Sequence, residues 1–128
     1  MRRAVLLVAL LVAIGCGCGG GGTSTTPDAM PDAAPVPVVA LASCPSIVDA
    51  TIQDSPTMFV PNQVTIGRGA IVKFDITSEH FVLPNTLTTT DPALNVARGE
   101  TKCFKFMVSG SYGFLCGVHG FTGTITIP

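Results

Sequence analysis

The sequence contains little of what a helical protein or a nucleic-acid-binding protein needs. Beyond residue 40, apolar residues hardly ever recur at the three- and four-residue spacing of an amphipathic helix, which excludes a helical bundle. Charged residues make up only 12% of the chain and form no basic stripe, which excludes nucleic acid as a partner. These absences leave a small β-rich domain.

The N-terminus has the pattern of an export signal. Residues 1–15 begin with a basic pair, continue with an apolar run too short to span a membrane comfortably, and end with Gly15 directly before Cys16. This arrangement resembles a bacterial lipoprotein signal, which implies cleavage before Cys16 and lipid attachment to its thiol. Gly17 is not the Asp that resembles an inner-membrane retention signal, so the outer membrane is favoured. An ordinary signal cleaved nearby is the alternative, and both imply export.

A segment of different composition follows the predicted signal. Residues 16–40 are dominated by Gly, Pro, Ser, Thr and Ala and show no apolar period. Such a segment buries too little surface to offset its ordering entropy, so we expect a flexible tether. Residues 41–128 would then form one small domain, of a size that often relies on a disulfide or a metal for stability.

Alternating apolar and polar residues predict β-strands in this domain. In the segment AIVKFDI, Val72, Phe74 and Ile76 share one face, and the segments TKCFKFMV and TITIP alternate in the same way. Many short strands separated by turns predict a β-sandwich or a barrel. Further strands are expected at 46–53, 58–60, 63–66, 80–83 and 111–116, and a loop with a short helical turn at 84–98.

The five cysteines divide into different roles. Cys16 would carry the lipid, and Cys18 lies in the tether. In an oxidising compartment, Cys44 and Cys103 are the natural disulfide pair. Cys116 is then unpaired, which is unusual in an exported protein unless something binds its sulfur. A Cys103–Cys116 disulfide is the open alternative, and it would abolish any metal site.

Histidine is scarce, and its placement is informative. The chain has only two, His80 and His119, and the second lies three residues after Cys116. A thiolate and two imidazoles suit copper, and a trigonal site of two His and one Cys is the blue-copper geometry. Two histidines cannot also supply a catalytic copper centre. Zinc would lack a good fourth ligand, and catalysis by Cys116 with His119 lacks an orienting residue nearby in sequence.

Two stretches carry a family resemblance, MFVPNQVTIGRGAIVKFDITSEHFV and RGETKCFKFMVSGSYGFLCGVHGFTGTITIP. They resemble cupredoxins of the plastocyanin and pseudoazurin kind in the His after a strand, the motif G-x-Y-x-F-x-C-x-x-H and the closing G-T-I-T-I. The resemblance covers nearly the whole domain. It implies an antiparallel Greek-key β-sandwich that binds one type 1 copper, with His80, Cys116 and His119 as equatorial ligands.

The sequence departs from the family pattern at two positions. The family usually has a Met shortly after the second His as a weak axial ligand, whereas Phe121 stands in that position here. Phe81 stands where many members have Asn. Without a thioether donor the site would be more nearly trigonal, and the carbonyl oxygen of Glu79 could act as a weak axial donor from the opposite side.

The resemblance implies an electron carrier rather than an enzyme. Such a carrier would exchange electrons with redox proteins that dock near His119. An apolar patch around that residue would consist of Val118, Phe121, Leu83 and Pro84. We expect a monomer in the periplasm or cell envelope that contacts the membrane only through its lipid anchor. A copper storage or delivery protein and a copper-free cupredoxin-like scaffold are the alternatives.

Overall fold

The computed structural model describes residues 36–128. The predicted signal peptide (1–15), the lipidation site Cys16 and the tether up to residue 35 lie outside the described residues and stay predictions. Residues 36–128 form strands and turns. This part of the chain contains no helix long and apolar enough to cross a membrane.

Residues 36–128 contain nine short strands, which form two sheets. The five-stranded sheet has the order β1-β7-β5-β2-β3, and the four-stranded sheet has the order β4-β9-β8-β6. Buried side chains from both sheets form one hydrophobic core, which confirms the predicted β-sandwich. The strands are β1 (Val38–Ala40), β2 (Ala50–Asp54), β3 (Phe59–Val60), β4 (Gln63–Thr65), β5 (Ile71–Asp75), β6 (Val82–Pro84), β7 (Thr101–Phe106), β8 (Gly110–Cys116) and β9 (Thr122–Ile127).

Two strand pairs differ from the expected antiparallel arrangement. β2 pairs with β5 in parallel, with Gln53 opposite Asp75, and β4 pairs with β9 in parallel. After β2 the chain forms the short strand β3, crosses to the other sheet for β4, and returns to run as β5 beside β2 in the same direction. A parallel pair requires such a crossover. As a result, the end of β2 lies beside the end of β5.

The folded part begins earlier than the boundary expected at residue 41. β1 pairs antiparallel with β7, with Val38 opposite Phe106, and the side chain of Val38 is buried. The N–H of Met107 also donates to the carbonyl of Pro37 at 2.8 Å. The last residues of the Pro- and Ala-rich segment therefore complete the edge of the sheet.

The segment 84–98 contains turns and no helix. One turn is closed by a hydrogen bond from the N–H of Leu94 to the carbonyl of Asp91, and the Asp91 side chain accepts from the N–H of Ala93. The side chains of Leu94 and Val96 are buried in the core. Val96 also forms an isolated bridge with Val82 at the start of β6, so this segment lies along the outer edge of the four-stranded sheet.

A chain of aromatic rings crosses the core. Phe114 of β8 lies between Phe59 and Phe74 of the opposite sheet, with ring centroids 5.0 and 5.2 Å away, and Phe74 packs edge-on against Phe104. These four side chains are fully buried. Tilted and edge-to-face contacts of this kind add to the energy of burial. Phe59 also contacts Phe121 at 4.7 Å, which links the core to the turn after β8.

A disulfide joins Cys44 to Cys103. Cys103 lies in β7 on the face opposite Phe104 and Phe106, yet its side chain is only 1% exposed because the segment that carries Cys44 covers it. The N–H of Leu41 donates to the carbonyl of Cys103 at 2.9 Å and holds that segment in place. Cys116 is the free cysteine of residues 36–128, and it is buried.

Removing the disulfide should destabilise the fold. The bridge closes a loop with a sequence separation of 59, which corresponds to about 4 kcal/mol of unfolding free energy in the chain-entropy treatment. The double substitution Cys44→Ala and Cys103→Ala should lower the midpoint of urea unfolding accordingly. The exposed Ile47 lies in the same segment, and Ile47→Ser should change the unfolding free energy by less than about 0.5 kcal/mol. Equal midpoints for the double variant and the wild type would contradict this prediction.

Candidate metal centre

Three side chains from separate parts of the chain meet at one end of the sandwich. The ligand atoms of His80, Cys116 and His119 all lie within 4.8 Å of one another. His80 is 2% exposed and Cys116 is fully buried, whereas His119 is exposed. The structure therefore brings together all three residues that the sequence indicated as ligands.

The turn between β8 and β9 holds two of these side chains. The N–H of Cys116 donates to the carbonyl of Phe121, and the N–H of Gly120 donates to the carbonyl of Cys116, both at 2.8 Å. Gly120 has a φ of +72°, a conformation that favours glycine. The turn closes on itself at Cys116, so the spacing between Cys116 and His119 is set by backbone hydrogen bonds.

His80 reaches the same point from the turn between β5 and β6. Its N–H lies 3.4 Å from the carbonyl of Thr77, and the N–H of Gly117 donates to the carbonyl of Phe81 at 3.2 Å. Strand β6 then pairs with β8, with Val82 opposite Cys116. The residue that follows His80 is therefore hydrogen-bonded to the turn that carries the other two side chains.

Asp54 contacts His80, a contact that no motif in the sequence indicates. The Nδ1 atom of His80 lies 2.5 Å from Oδ2 of Asp54, and both side chains are almost completely buried, at 3% and 1% exposure. Thr77 donates its N–H to Oδ1 and its hydroxyl to Oδ2 of the same carboxylate. The two residues are 26 positions apart and no motif links them, so only the three-dimensional fold reveals the pair.

The Asp54 carboxyl is held in its ionised form by these donors. Burial raises its pKa, but the hydrogen bonds from Thr77 and His80 outweigh that effect, and the net pKa lies below the usual value for Asp. An ionised carboxylate only accepts hydrogen bonds, which agrees with the two bonds that Thr77 donates to it.

Phe121 lies against both histidine rings. Its ring is 5.4 Å from that of His80 at a steep angle, and it is stacked on His119 at 6.0 Å with an interplanar angle of 6°. Phe59 packs against its other side. Phe121 therefore presents a hydrocarbon surface and no donor atom to both imidazoles, and its predicted place in the usual axial Met position stays a prediction.

Glu79 and Phe81 have partners of their own. The carbonyl oxygen of Glu79, expected as a weak axial donor, accepts a hydrogen bond from Nη1 of Arg98 at 3.1 Å. The guanidinium carbon of Arg98 also lies 5.3 Å from the centre of the Phe81 ring, a cation–π distance. The Glu79 oxygen is therefore directed to Arg98 in this structure, and its metal-binding role stays a prediction.

The chemistry of the three donors fits copper. A thiolate is a soft ligand, imidazole suits copper among other metals, and one thiolate with two imidazoles matches a trigonal type 1 site. The carboxylate on His80 supplies the outer hydrogen bond that metal-binding histidines almost always make. Within residues 36–128 no other group of His, Cys, Asp or Glu side chains is arranged to hold a metal ion.

Comparisons with known proteins identify the fold. No protein-family model and no curated protein sequence matches the chain. Solved structures of amicyanin do match. The amicyanin of Paracoccus versutus is 13% identical with a TM-score of 0.54 over 72% of this chain and 98% of that chain. A Cu(I) form and a reduced form of amicyanin variants are each 15% identical over 72% of this chain and 99% of theirs, with TM-scores of 0.56 and 0.55.

These likenesses confirm the cupredoxin-like sandwich that the sequence motifs implied. The amicyanin chains are matched over nearly their whole length, although fewer than one in six of the aligned residues are identical. At this identity the similarity concerns the fold alone. The plastocyanin and pseudoazurin kind, which was the expected subtype, stays a prediction.

A methyl group at Gly117 should disturb the turn that carries Cys116 and His119. An ideal Cβ there would lie 2.1 Å from Cε2 of Phe81, so the ring or the turn must move. Gly117→Ala should lower the unfolding free energy by about 1–3 kcal/mol, as overpacking usually does. The loss should vanish when Phe81→Ala is combined with it, which a double-mutant cycle measures.

Gly67 provides the matched control for this substitution. Apart from Gly67 and its two chain neighbours, no heavy atom lies within 4 Å of an ideal Cβ at this position. Gly67→Ala should therefore change the unfolding free energy by less than about 0.5 kcal/mol. A Gly117→Ala protein as stable as the Gly67→Ala protein would show that Phe81 and the turn are not in close contact.

Proposed function

We propose that this protein is a mononuclear type 1 copper protein that carries electrons between redox partners. His80, Cys116 and His119 are the proposed equatorial ligands. The observation that carries the proposal is the meeting of one free, buried thiol with two imidazoles, all within 4.8 Å. When bound, copper would supply a one-electron couple between Cu(I) and Cu(II).

The surrounding residues suit a site that changes little when it gains or loses an electron. Cys116 and His80 are shielded from water, and the turn that holds Cys116 is closed by backbone hydrogen bonds. Phe121 fills the space beside both imidazoles without offering a donor. A site with no thioether donor is more nearly trigonal and favours Cu(I), so we expect a high reduction potential.

The exposed imidazole of His119 is the proposed route for electrons. It is the only one of the three ligands that reaches the surface, and its neighbour Val118 is 43% exposed. The half-buried side chains of Leu83, Pro84 and Phe121 complete the proposed apolar patch on which a partner would dock.

The comparisons support this function by analogy of fold. The matched amicyanin structures include oxidised, reduced and Cu(I) forms. We propose by the same analogy that this chain alternates between two copper oxidation states and has no catalytic turnover.

A thiol protease-like or transferase-like activity is the second candidate, because Asp54 and His80 form an acid–imidazole pair close to Cys116. A nucleophile must reach its substrate, however, and the side chain of Cys116 is fully buried beneath the turn. Burial of the sulfur favours a metal ligand over a nucleophile.

We also propose that the protein is exported and anchored by a lipid. The signal-like residues 1–15 and the lipobox before Cys16 support an exported protein with a lipid anchor, attached to the outer membrane and facing the periplasm. The Cys44–Cys103 disulfide supports an oxidising compartment. The docked partner would be another redox protein of the cell envelope, and we expect the protein to act as a monomer.

Titration of the reduced, metal-free protein with Cu(II) tests the proposal. We expect an intense absorption band toward the red end of the visible spectrum and a narrow copper hyperfine splitting in the EPR spectrum. Cys116→Ser should abolish the band because the thiolate is its source. Binding of Cu(I) alone, with no coloured Cu(II) form, would favour storage or delivery. No binding of either ion would leave a copper-free scaffold.

A methionine at position 121 should lower the reduction potential. Phe121→Met places a thioether beside both histidines, and a weak axial donor stabilises Cu(II) relative to Cu(I). Phe121→Leu is the matched control, since it changes the packing without adding a donor, and its potential should stay close to that of the wild type. Equal potentials for the Met and Leu variants would show that position 121 is not axial to the metal.

A further inference from the structure

We propose that the end of the sandwich where the N-terminal segment joins it rests on an anionic lipid surface, through exposed apolar side chains and the cations Arg68 and Lys105. The sequence alone indicated membrane contact through the lipid anchor only. The new contact would add to the proposed anchor at Cys16, on whose membrane it rests, and it is independent of copper. Its residues are far apart in the sequence and meet on one surface through the fold.

The N-terminal segment joins the sandwich at the end opposite the metal centre. Val38 of β1 lies opposite Phe106, the last residue of β7. A short connection, residues 107–109, leads from there to Gly110, where β8 begins, and β8 ends at Cys116. The seven residues of β8 span about 20 Å. Val38 and Cys116 therefore lie at opposite ends, which we call the N-terminal end and the metal end.

Large apolar side chains are exposed on the five-stranded sheet near its N-terminal end. Val39 lies next to the inward-pointing Val38, so it points outward, and it is exposed. Met107, directly after β7, is exposed at the same end. Ile47 lies in the segment that covers this face between the disulfide and β2, and it is 83% exposed. A group of exposed apolar side chains marks a contact surface for a protein or a membrane.

Cations border these apolar side chains. Lys105 lies between Val39 and Ile71 in a row that crosses three strands on the outward face. Arg68 lies in the turn before β5, and its Nη2 atom donates to the hydroxyl of Ser109 at 2.9 Å, in the connection between β7 and β8. Both cations are therefore at the N-terminal end.

Acidic side chains are concentrated at the other end of the sandwich. Asp49 is at the N-terminal end, where its Oδ2 atom accepts the N–H of Ile71 at 2.7 Å. Asp91 is buried. The other acidic residues within 36–128 lie toward the metal end, at Asp54, Asp75, Glu79 and Glu100. The side chains at the N-terminal end consequently carry more positive than negative charge.

An anionic lipid surface fits this combination of side chains. A Lys or Arg side chain close to an anionic bilayer raises the binding constant about fivefold. Long cationic side chains keep their charge among the headgroups while apolar neighbours enter the boundary with the acyl chains. A surface of this size binds weakly when it acts alone. An anchor on the same chain makes the contact intramolecular, so a weak surface is sufficient to orient the domain.

The contact gives the domain an orientation on the membrane. With the N-terminal end on the bilayer, the metal end and the exposed His119 face the aqueous compartment, about 20 Å from the lipid. A redox partner would then approach from the aqueous side. A partner embedded in the same bilayer would not reach His119.

An anchored, metal-free form of the protein tests this orientation without copper and without natural lipidation. The chain from residue 17 keeps every described strand, and the thiol of Cys18 is coupled to a maleimide-bearing phospholipid while Cys116 is buried. The sequence contains no Trp, so a single introduced Trp reports on its own surroundings. Ile47→Trp reports on the N-terminal end and Val118→Trp on the metal end, and both replace exposed side chains.

Quenching by bromine-labelled lipid measures which end meets the bilayer. In vesicles that contain phosphatidylglycerol, we expect strong quenching of Ile47→Trp fluorescence and little quenching of Val118→Trp. In vesicles of phosphatidylcholine, or at high salt, the quenching of Ile47→Trp should fall because the attraction of the cations is lost or screened. Equal quenching of the two variants would show that the domain turns freely. Stronger quenching of Val118→Trp would show the opposite orientation, and either result overturns the proposal.

Lys105 and Lys102 are a matched pair of cations on β7. In the Ile47→Trp protein, Lys105→Gln should weaken the lipid contact about fivefold, and Arg68→Gln should do the same. Lys102 lies toward the metal end, where its Nζ atom donates to the carbonyl of Asn95 at 2.9 Å, so Lys102→Gln should leave the quenching unchanged.

Equal weakening by Lys102→Gln and Lys105→Gln would show an effect of net charge and would overturn the proposed surface. All of these readouts are made without metal. A failure here leaves the copper proposal standing, and a failed copper titration leaves the lipid contact standing.

Discussion

The turn after β8 is closed by two hydrogen bonds of a single residue, since the N–H of Cys116 donates to Phe121 and its carbonyl accepts from Gly120. The placement of the site depends on this closure. It fixes the sulfur at the end of a core strand, sets the distance to His119, and turns Phe121 inward against Phe59. β6, which begins two residues after His80, pairs with β8 so that Val82 lies opposite Cys116. This pairing brings His80 to the same end of β8 as the turn.

Burial divides the proposed site into an inner and an outer part. Cys116 and His80 are shielded by the core and by Phe121, and His80 is further held by a buried carboxylate. His119 is exposed, without an equivalent partner among the described residues. An electron carrier needs this division, because the inner ligands resist rearrangement while the outer one gives a partner a short path to the metal.

Local patterns in the sequence were sufficient to predict several strands and the three residues that meet at the site. Alternation in the segment around Val72 and Phe74 predicted a half-buried strand, and the spacing from Cys116 to His119 and Phe121 predicted the turn, because a few residues decide these features. Asp54 could not be predicted in this way. It is 26 residues from His80, and it reaches the site only through the parallel pairing of β2 with β5, where antiparallel pairs were expected. β1 was missed for a related reason, since its partner β7 lies far along the chain and its own sequence resembles a linker.

X-ray absorption spectroscopy at the copper edge, on the protein loaded with one equivalent of copper, tests the central claim most directly. If His80, Cys116 and His119 are the ligands, the copper should have one short sulfur contact and two imidazole nitrogens, with no second sulfur. A first coordination shell of oxygen and nitrogen atoms alone, without sulfur, would contradict the account, because it would place the metal away from the buried thiol of Cys116.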